Sequence, residues 1–509
     1  MTNGSLLKYF VAIGIGGLAL LFMDAFFEIH TPGTDVFLFK EAGVNLATQG
    51  RLVAAYLPHM DFGEEKPFAY YPPVYPFVFG VWTWLVGVGL KQSICFNGFL
   101  TLLRTLLMVV LVAPAISQEF WSPSFRWKRR GSGILFLILT VLSTDRDRPD
   151  ELALVFGLLL MVVLFSRKRM GLKVTVAALC LALTGATSPA CGLFFGLITL
   201  CWALGQAKGL RKLCAIAGGS LLAWALMVAP LFLQDRALGD RFSQQLGFSS
   251  FPYLRFWNPS WTFHDYQSWF LRFWSLFVEE GQEYLWLSVT LSIPALWFAT
   301  RRILKRESFP SGSLFLVAPL LFYLGAPLVW TLQPYYLWFP SIVLMITILQ
   351  WQHRTNQHAL GTVIILFAVI PLLQFEARGA LNAFQKPMRE HADPMQQEVL
   401  PFIEPESTVA VTHDQYFTFR EKRVTFNAAY WLQDSDKFDY LYLTNLNNSR
   451  QLAMKPEQLI PKGHVACFSL VKDFSSHQPI RWLGKNTGYY VRGSGGQLYK
   501  NRCKNTKAS

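Results

Sequence analysis

The chain has 509 residues, 52% hydrophobic, 15% aromatic and only 15% charged, with a mean hydropathy of +0.30. It is too apolar and too long for a single soluble core, and reads as a polytopic membrane protein. Its formal charge of +14 does not call for a nucleic-acid partner. The Lys and Arg residues fall in short gaps between apolar runs, as cytoplasmic membrane anchors do.

In chain order, the first apolar run is Tyr9 to Phe27, which lacks a small-x-small cleavage site and reads as a retained span. Glu28 to Pro76 follows, a polar stretch that carries Asp35, His59, Asp61, Glu64, Glu65 and Lys66 and ends in Tyr70-Tyr71-Pro72-Pro73-Val74-Tyr75-Pro76. It is long for a mere connection and too rich in apolar residues for disorder. From Asp35 to Gly50 it reads as a short helix lying against the membrane. Pro73 to Leu90, with Trp82 and Trp84, reads as an interfacial helix and not a crossing. A crossing there would put the Arg126–Arg130 cluster opposite the later basic clusters near Arg167, Lys208, Arg301 and Arg354. The spans then fall near 9–27, 98–117, 132–144, 150–166, 173–187, 190–205, 213–233, 284–300, 313–330, 335–351 and 358–376. This is an α-helical protein of about eleven spans, with the amino terminus inside and the carboxyl terminus outside.

Residues 1–376 therefore form a transmembrane unit, with outer loops at 28–76 and 234–283. Beyond Glu376 the apolar runs shorten to strand length at Thr408–Thr412, Tyr440–Leu443 and His464–Phe468. Residues 377–509 read as an extracytoplasmic α/β domain of about 130 residues. Cys467 and Cys503 lie in it and can pair in an oxidising compartment, whereas the other five cysteines sit in or beside apolar segments as small hydrophobes. There is no zinc-spaced Cys/His set and no phosphate loop of the GxxxxGK[ST] kind, so ATP-driven chemistry is not expected.

The chemistry falls to the outer acids. Taken alone, Asp35 reads first as a cap for the helix that it opens; beside the second acidic cluster it suits a general base acting on a hydroxyl. Asp145, Asp147 and Asp150 crowd one short turn with Arg146 and Arg148 interleaved. Such carboxylates need positive charge among them. A divalent cation (Mg²⁺ or Mn²⁺) bound by Asp147 and Asp150 would supply it, and Arg146 and Arg148 are then free to grip a phosphate. A self-neutralised Asp/Arg network capping the span at Pro149 is the competing reading. Lys66 and Arg104 are further cations for a phosphate, although a lysine at that depth also snorkels. His59 and Asp61 can share a ligand or a proton, or only a hydrogen bond. The 234–283 loop is dense in rings, among them Trp257, that suit an interfacial belt or a sugar-stacking surface.

The order of these parts resembles a family. A first span, an outer loop opened by Asp35, a helix with Ala42, Leu46 and Gly50, then Tyr71-Pro72-Pro73-Val74-Tyr75-Pro76 and an interfacial helix look like the GT-C superfamily of integral membrane glycosyltransferases. The branch containing the protein O-mannosyltransferases and aminoarabinose transferases is the most similar. Arg148-Pro149-Asp150-Glu151-Leu152-Ala153-Leu154 is similar to a segment that opens a later span in that branch. The resemblance covers the first 200 residues or so by motif and the rest by architecture. It implies transfer of a sugar from a polyprenyl-phosphate donor to a glycan, lipid or protein acceptor at the extracytoplasmic face of a bacterial plasma membrane, with inversion. Asp35 matches the catalytic base, Asp150 with Asp147 the acids that hold a metal or the donor phosphate, and Tyr71 lies in the substrate-side run. Val36 and Phe37 depart from the Asp-Glu or Asp-x-Asp pairing of the family, which weakens the case for a metal. A polysaccharide ligase or polymerase uses similar substrates. A lipid-linked glycan flippase without covalent chemistry needs ionisable groups inside the spans, which here read as nearly free of charge.

Overall fold

A computed structural model describes residues 3–29, 36–54, 66–67, 72–117, 148–166, 170–206, 208–234, 282–304, 317–323, 334–355, short pieces between 363 and 377, 380–411, 415–419, 438–444, 456–460, 462–475, 478–491 and 495–503. The first helix, α1 (Asn3–Phe27), packs along α4 (Leu90–Ser117). Between them in sequence come α2 (Val36–Gln49), the two-residue strands β1 (Val53–Ala54) and β2 (Lys66–Pro67), and α3 (Val74–Val86). β1 and β2 pair antiparallel, Ala54 opposite Lys66. α3 is two-faced: Tyr75, Phe79 and Thr83 are buried, while Phe77, Trp84 and Leu85 are exposed. That is the pattern of a helix lying at an interface.

The central helices follow as α5 (Pro149–Phe165), α6 (Met170–Gly185), α7 (Pro189–Leu204), α8 (Gly209–Gln234), α9 (Gln282–Leu304) and α10 (Trp338–Thr355). Two of them begin as their sequences direct. Pro149 and Pro189 occupy the first helical positions, where a missing N–H costs nothing, and Ser188 caps α7 by accepting from the Cys191 amide. Leu90–Leu111 and Gly209–Met227 are long and apolar enough to cross a membrane. α8 leaves Leu221, Leu222 and Leu226 each more than 60% exposed, a surface suited to lipid and not to water. The helices lie where the sequence puts spans at 9–27, 98–117, 150–166, 173–187, 190–205, 213–233, 284–300 and 335–351. The expected spans at 313–330 and 358–376 are described only in pieces, and 132–144 lies outside the described residues.

The carboxyl-terminal region carries α11 (Ala392–Val399) and a mixed sheet of β3 (Val409–Val411), β4 (Tyr440–Thr444), β5 (Phe468–Asp473) and β8 (Gly496–Asn501), in the order β3-β4-β8-β5. β3 and β4 are parallel, Ala410 opposite Leu441. The other pairs are antiparallel, Tyr442 opposite Leu498 and Leu470 opposite Tyr499. β6 (Pro479–Trp482) and β7 (Lys485–Tyr490) form a separate hairpin. One expected strand is displaced: Val465–Cys467 is a turn of 3-10 helix, and the strand begins at Phe468. Cys467 in that turn is bonded to Cys503, just past the end of β8, so the turn delivers the cysteine and the strand starts after it.

β4 is buried on both faces. Tyr440 and Tyr442 join an apolar cluster with Phe39 and Val44 of α2, Tyr75 and Phe79 of α3 and Phe96 of α4, whereas Leu441 and Leu443 pack with Phe438 and Ile460 on the other side. The sheet and the helices thus share one core. A polar clamp adds to it. Glu28, just past α1, accepts from Lys386 Nζ at 2.6 Å and from the Ala392 amide at 3.2 Å, with His391 Nδ1 at 3.6 Å. Burial acts to raise the Glu28 carboxyl pKa, but the His391 hydrogen bond and the Lys386 charge outweigh it and hold it at about 2.

Candidate functional site

The start of α5 gathers the charges. Asp150 and Glu151 stand in its first turn, where the helix dipole favours acids, and both are buried, as is Arg148 before them. Arg148 Nε donates to Asp150 Oδ2 at 3.1 Å. The other carboxylate oxygen, Oδ1, accepts from the Ser188 hydroxyl at the start of α7. Glu151 Oε2 accepts from Arg104 Nη1 of α4 at 2.9 Å, with the two side chains 3% and 0% exposed. Rings enclose the guanidinium groups: Trp338 of α10 lies 5.4 Å from Arg104, and Phe39 and Tyr336 lie 5.6 and 5.8 Å from Arg148. Five helices, α2, α4, α5, α7 and α10, converge here on two buried ion pairs.

α2 adds a third buried cation. Lys40 is wholly buried; its Nζ donates to Ser93 Oγ at 2.7 Å and to Asn97 Oδ1 at 3.2 Å, and lies 5.2 Å from the Phe79 ring. Ser93, Asn97, Thr101 and Thr105 recur every fourth residue along α4, all buried, with Arg104 beside them. This polar stripe fastens α2 and α5 to one face of α4.

The structure brings together only part of the expected site. Arg148 and Asp150 meet as neighbours. Arg104 and Arg148, expected at a donor phosphate, are each paired with an acid. Asp35, His59, Asp61, Tyr71, Arg146, Asp147 and Trp257 lie outside the described residues, as does the side chain of Lys66, whose backbone forms β2. A guanidinium and a hydroxyl donate to the two oxygens of Asp150, the arrangement of the self-neutralised reading, and Asp147, the other residue expected at a metal, lies outside the described residues. Among the described residues no group of three His, Cys, Asp or Glu side chains can hold a metal. Sequence reasoning missed Lys40, Glu151, Ser188 and the polar stripe of α4. The four-residue recurrence of Ser93, Asn97, Thr101 and Thr105 is the signal that would have found the stripe.

The fold is that of a polytopic membrane protein with a mixed sheet docked on its helices. No family model matches the chain, and no curated protein matches it in sequence. Among solved structures it is similar to the arabinofuranosyltransferase AftD from Mycobacteria, with a TM-score of 0.50 and 14% identity over 97% of this chain. The chain spans 40% of that protein's length. It is similar also to ArnT from Cupriavidus metallidurans, solved bound to undecaprenyl phosphate, with a TM-score of 0.50 and 12% identity over 84% of this chain and 86% of ArnT. At these identities the likeness is one of fold, and it is the fold that the sequence resemblance implies.

Proposed function

We propose that the protein is a glycosyltransferase that moves a sugar from a polyprenyl-phosphate donor to a glycan, lipid or protein acceptor at the extracytoplasmic face. The observation that carries this reading is the fold shared along most of both chains with ArnT, a structure solved with a polyprenyl phosphate. A second feature supports it. α2, which Asp35 immediately precedes in sequence, packs its Phe39 ring against Arg148 at the buried charge cluster.

On this reading Asp35 takes the proton of the acceptor hydroxyl. The oxygen then attacks the anomeric carbon from the face opposite the phosphate, the carbon–oxygen bond to phosphate breaks, and polyprenyl phosphate leaves with its electron pair. The configuration inverts. Cations fixed in advance near the leaving phosphate lower the barrier, and Lys66 and Arg146 are the candidates, since Arg104 and Arg148 have acids to neutralise. The proposal routes no step through a metal at Asp150.

The test is transfer of radiolabelled sugar from polyprenyl-phosphate donors in membranes holding wild type, Asp35→Asn or Asp150→Asn at matched expression. Wild type should transfer, and Asp35→Asn should lose at least about a hundredfold, the usual weight of a general base. Asp150→Asn should lose activity without recovery in excess Mn²⁺, because its partner is Arg148. Transfer by Asp35→Asn at the wild-type rate would reduce Asp35 to a cap. A flippase reading draws on one observation, the Arg104–Glu151 pair between helices. Donor-dependent translocation without sugar transfer in proteoliposomes would favour it.

A further inference from the structure

The β6–β7 hairpin breaks a local rule without gain inside the protein. Its two-residue tip, Leu483-Gly484, has φ of 49° and 79°, the left-handed pair that favours Asn-Gly. Leucine is strained there, and this one is 88% exposed. Arg481 and Lys485 on the hairpin are exposed cations, as is Arg389 beside Met388, itself 73% exposed. No Asp or Glu occurs from Gln478 to Arg492.

Contacts trace this tip to the end of α1. The Gln385 side chain bonds the Arg481 backbone in both directions, Nε2 to the carbonyl at 2.6 Å and the amide to Oε1 at 2.8 Å. Phe384 packs edge-on against Phe27, the last residue of α1, at 5.1 Å, and Lys386 is held by Glu28. Phe384 is exposed like Phe26 and Phe22, so the apolar outer face of α1 continues onto Phe384, and Met388 and Leu483 are exposed apolar side chains on the two segments that the Gln385–Arg481 bonds join. On the sequence reading α1 is the first membrane span, which puts Phe384 and the hairpin joined to it near the leaflet where that span ends.

We propose that the Leu483 tip, with Met388 and Phe384, is a membrane-interface anchor that seats the carboxyl-terminal region on the leaflet at which α1 ends. Leu483 enters the acyl boundary, and Arg481, Lys485 and Arg389 meet anionic headgroups. A second copy of the chain fits less well, because a two-fold contact through this patch brings the same cations face to face. The anchor is independent of the reaction catalysed.

Full-length protein in nanodiscs of phosphatidylcholine and phosphatidylglycerol tests it. In a Cys214→Ser background, Leu483→Cys carries an environment-sensitive NBD probe, and Lys462→Cys, exposed on the sheet-bearing region, is the control. Lipids with a doxyl group near the headgroup should quench the probe at 483 at least about twofold more than at 462, with blue-shifted emission. Equal quenching at the two positions overturns the anchor. Blue-shifted emission without lipid quenching also overturns it, and assigns the tip to a protein or glycan partner. A second variant guards against a misfolded tip. Leu483→Asn suits the left-handed turn better than leucine does, and should reduce by about half the lipid quenching of a probe at Met388→Cys. Unchanged quenching there would remove Leu483 from the anchor.

Discussion

Arg104 and Glu151 face each other at 2.9 Å, both buried, so removal of either deprives a buried charge of this partner. Arg104→Met should cost about 3–5 kcal/mol, read as a lowered midpoint of thermal unfolding in nanodiscs. Arg104→Met with Glu151→Leu removes both charges together and should recover most of that loss. If the double variant is no more stable than the single one, the two residues do not act as a unit. A double variant that is stable yet inactive would return Arg104 to the donor phosphate. Legibility at this scale followed chain proximity. Arg148, Pro149 and Asp150 are adjacent, and their crowding was visible because neutralisation must be local. Lys40 was not recognised, since its burial depends on Ser93 and Asn97, more than fifty residues away. Glu151 was missed for the same reason: its partner comes from α4.

Among the elements, the helices were the most legible, because long apolar runs broken by prolines, glycines and charges fix where a helix lies whatever its neighbours do. The packing between them was not. α2 and α3 cross where both carry glycine: a Cβ on Gly43 would come within 2.5 Å of the Pro76 carbonyl oxygen, and one on Gly80 within 2.9 Å of the Gly43 oxygen. These are backbone contacts that cannot yield as a flexible side chain would. Gly43→Ala should therefore destabilise by about 1–3 kcal/mol despite alanine's better helix propensity. It should also lower sugar transfer, because α2 carries Lys40 and directly follows Asp35. Gly16→Ala in α1, where a Cβ would meet nothing within 4 Å, is the control and should be neutral or slightly stabilising. Equal stability of the two variants would mean that α2 and α3 separate freely. The strand expected at His464–Phe468 misled for a comparable reason: a short apolar run does not distinguish a strand from the 3-10 turn that holds Cys467 at its disulfide.

For the whole molecule, the decisive join is between the helices and the carboxyl-terminal region, and composition signals the change of character near residue 377 but not the contact. The contact is partly apolar, through the cluster that holds Tyr440 and Tyr442 together with Phe39 and Tyr75, and partly the Glu28 clamp. The clamp makes a prediction about pH whose sign is fixed. Glu28 has a folded pKa of about 2 against an ordinary 4.5, so the folded state prefers it ionised. Its contribution is full above pH 4.5 and is lost as the pH falls from there toward 2, when the unfolded chain takes up a proton that the folded one refuses. The difference corresponds to about 3 kcal/mol. Unfolding of the carboxyl-terminal region, followed by hydrogen exchange across 392–411 between pH 7 and pH 3, should show protection falling with acid in wild type. Glu28→Gln should begin less protected at pH 7 and lose less on acidification, since it keeps the shape of the clamp without the titrating charge. Parallel loss of protection in wild type and variant would place the acid sensitivity elsewhere and leave the apolar contact as the main join.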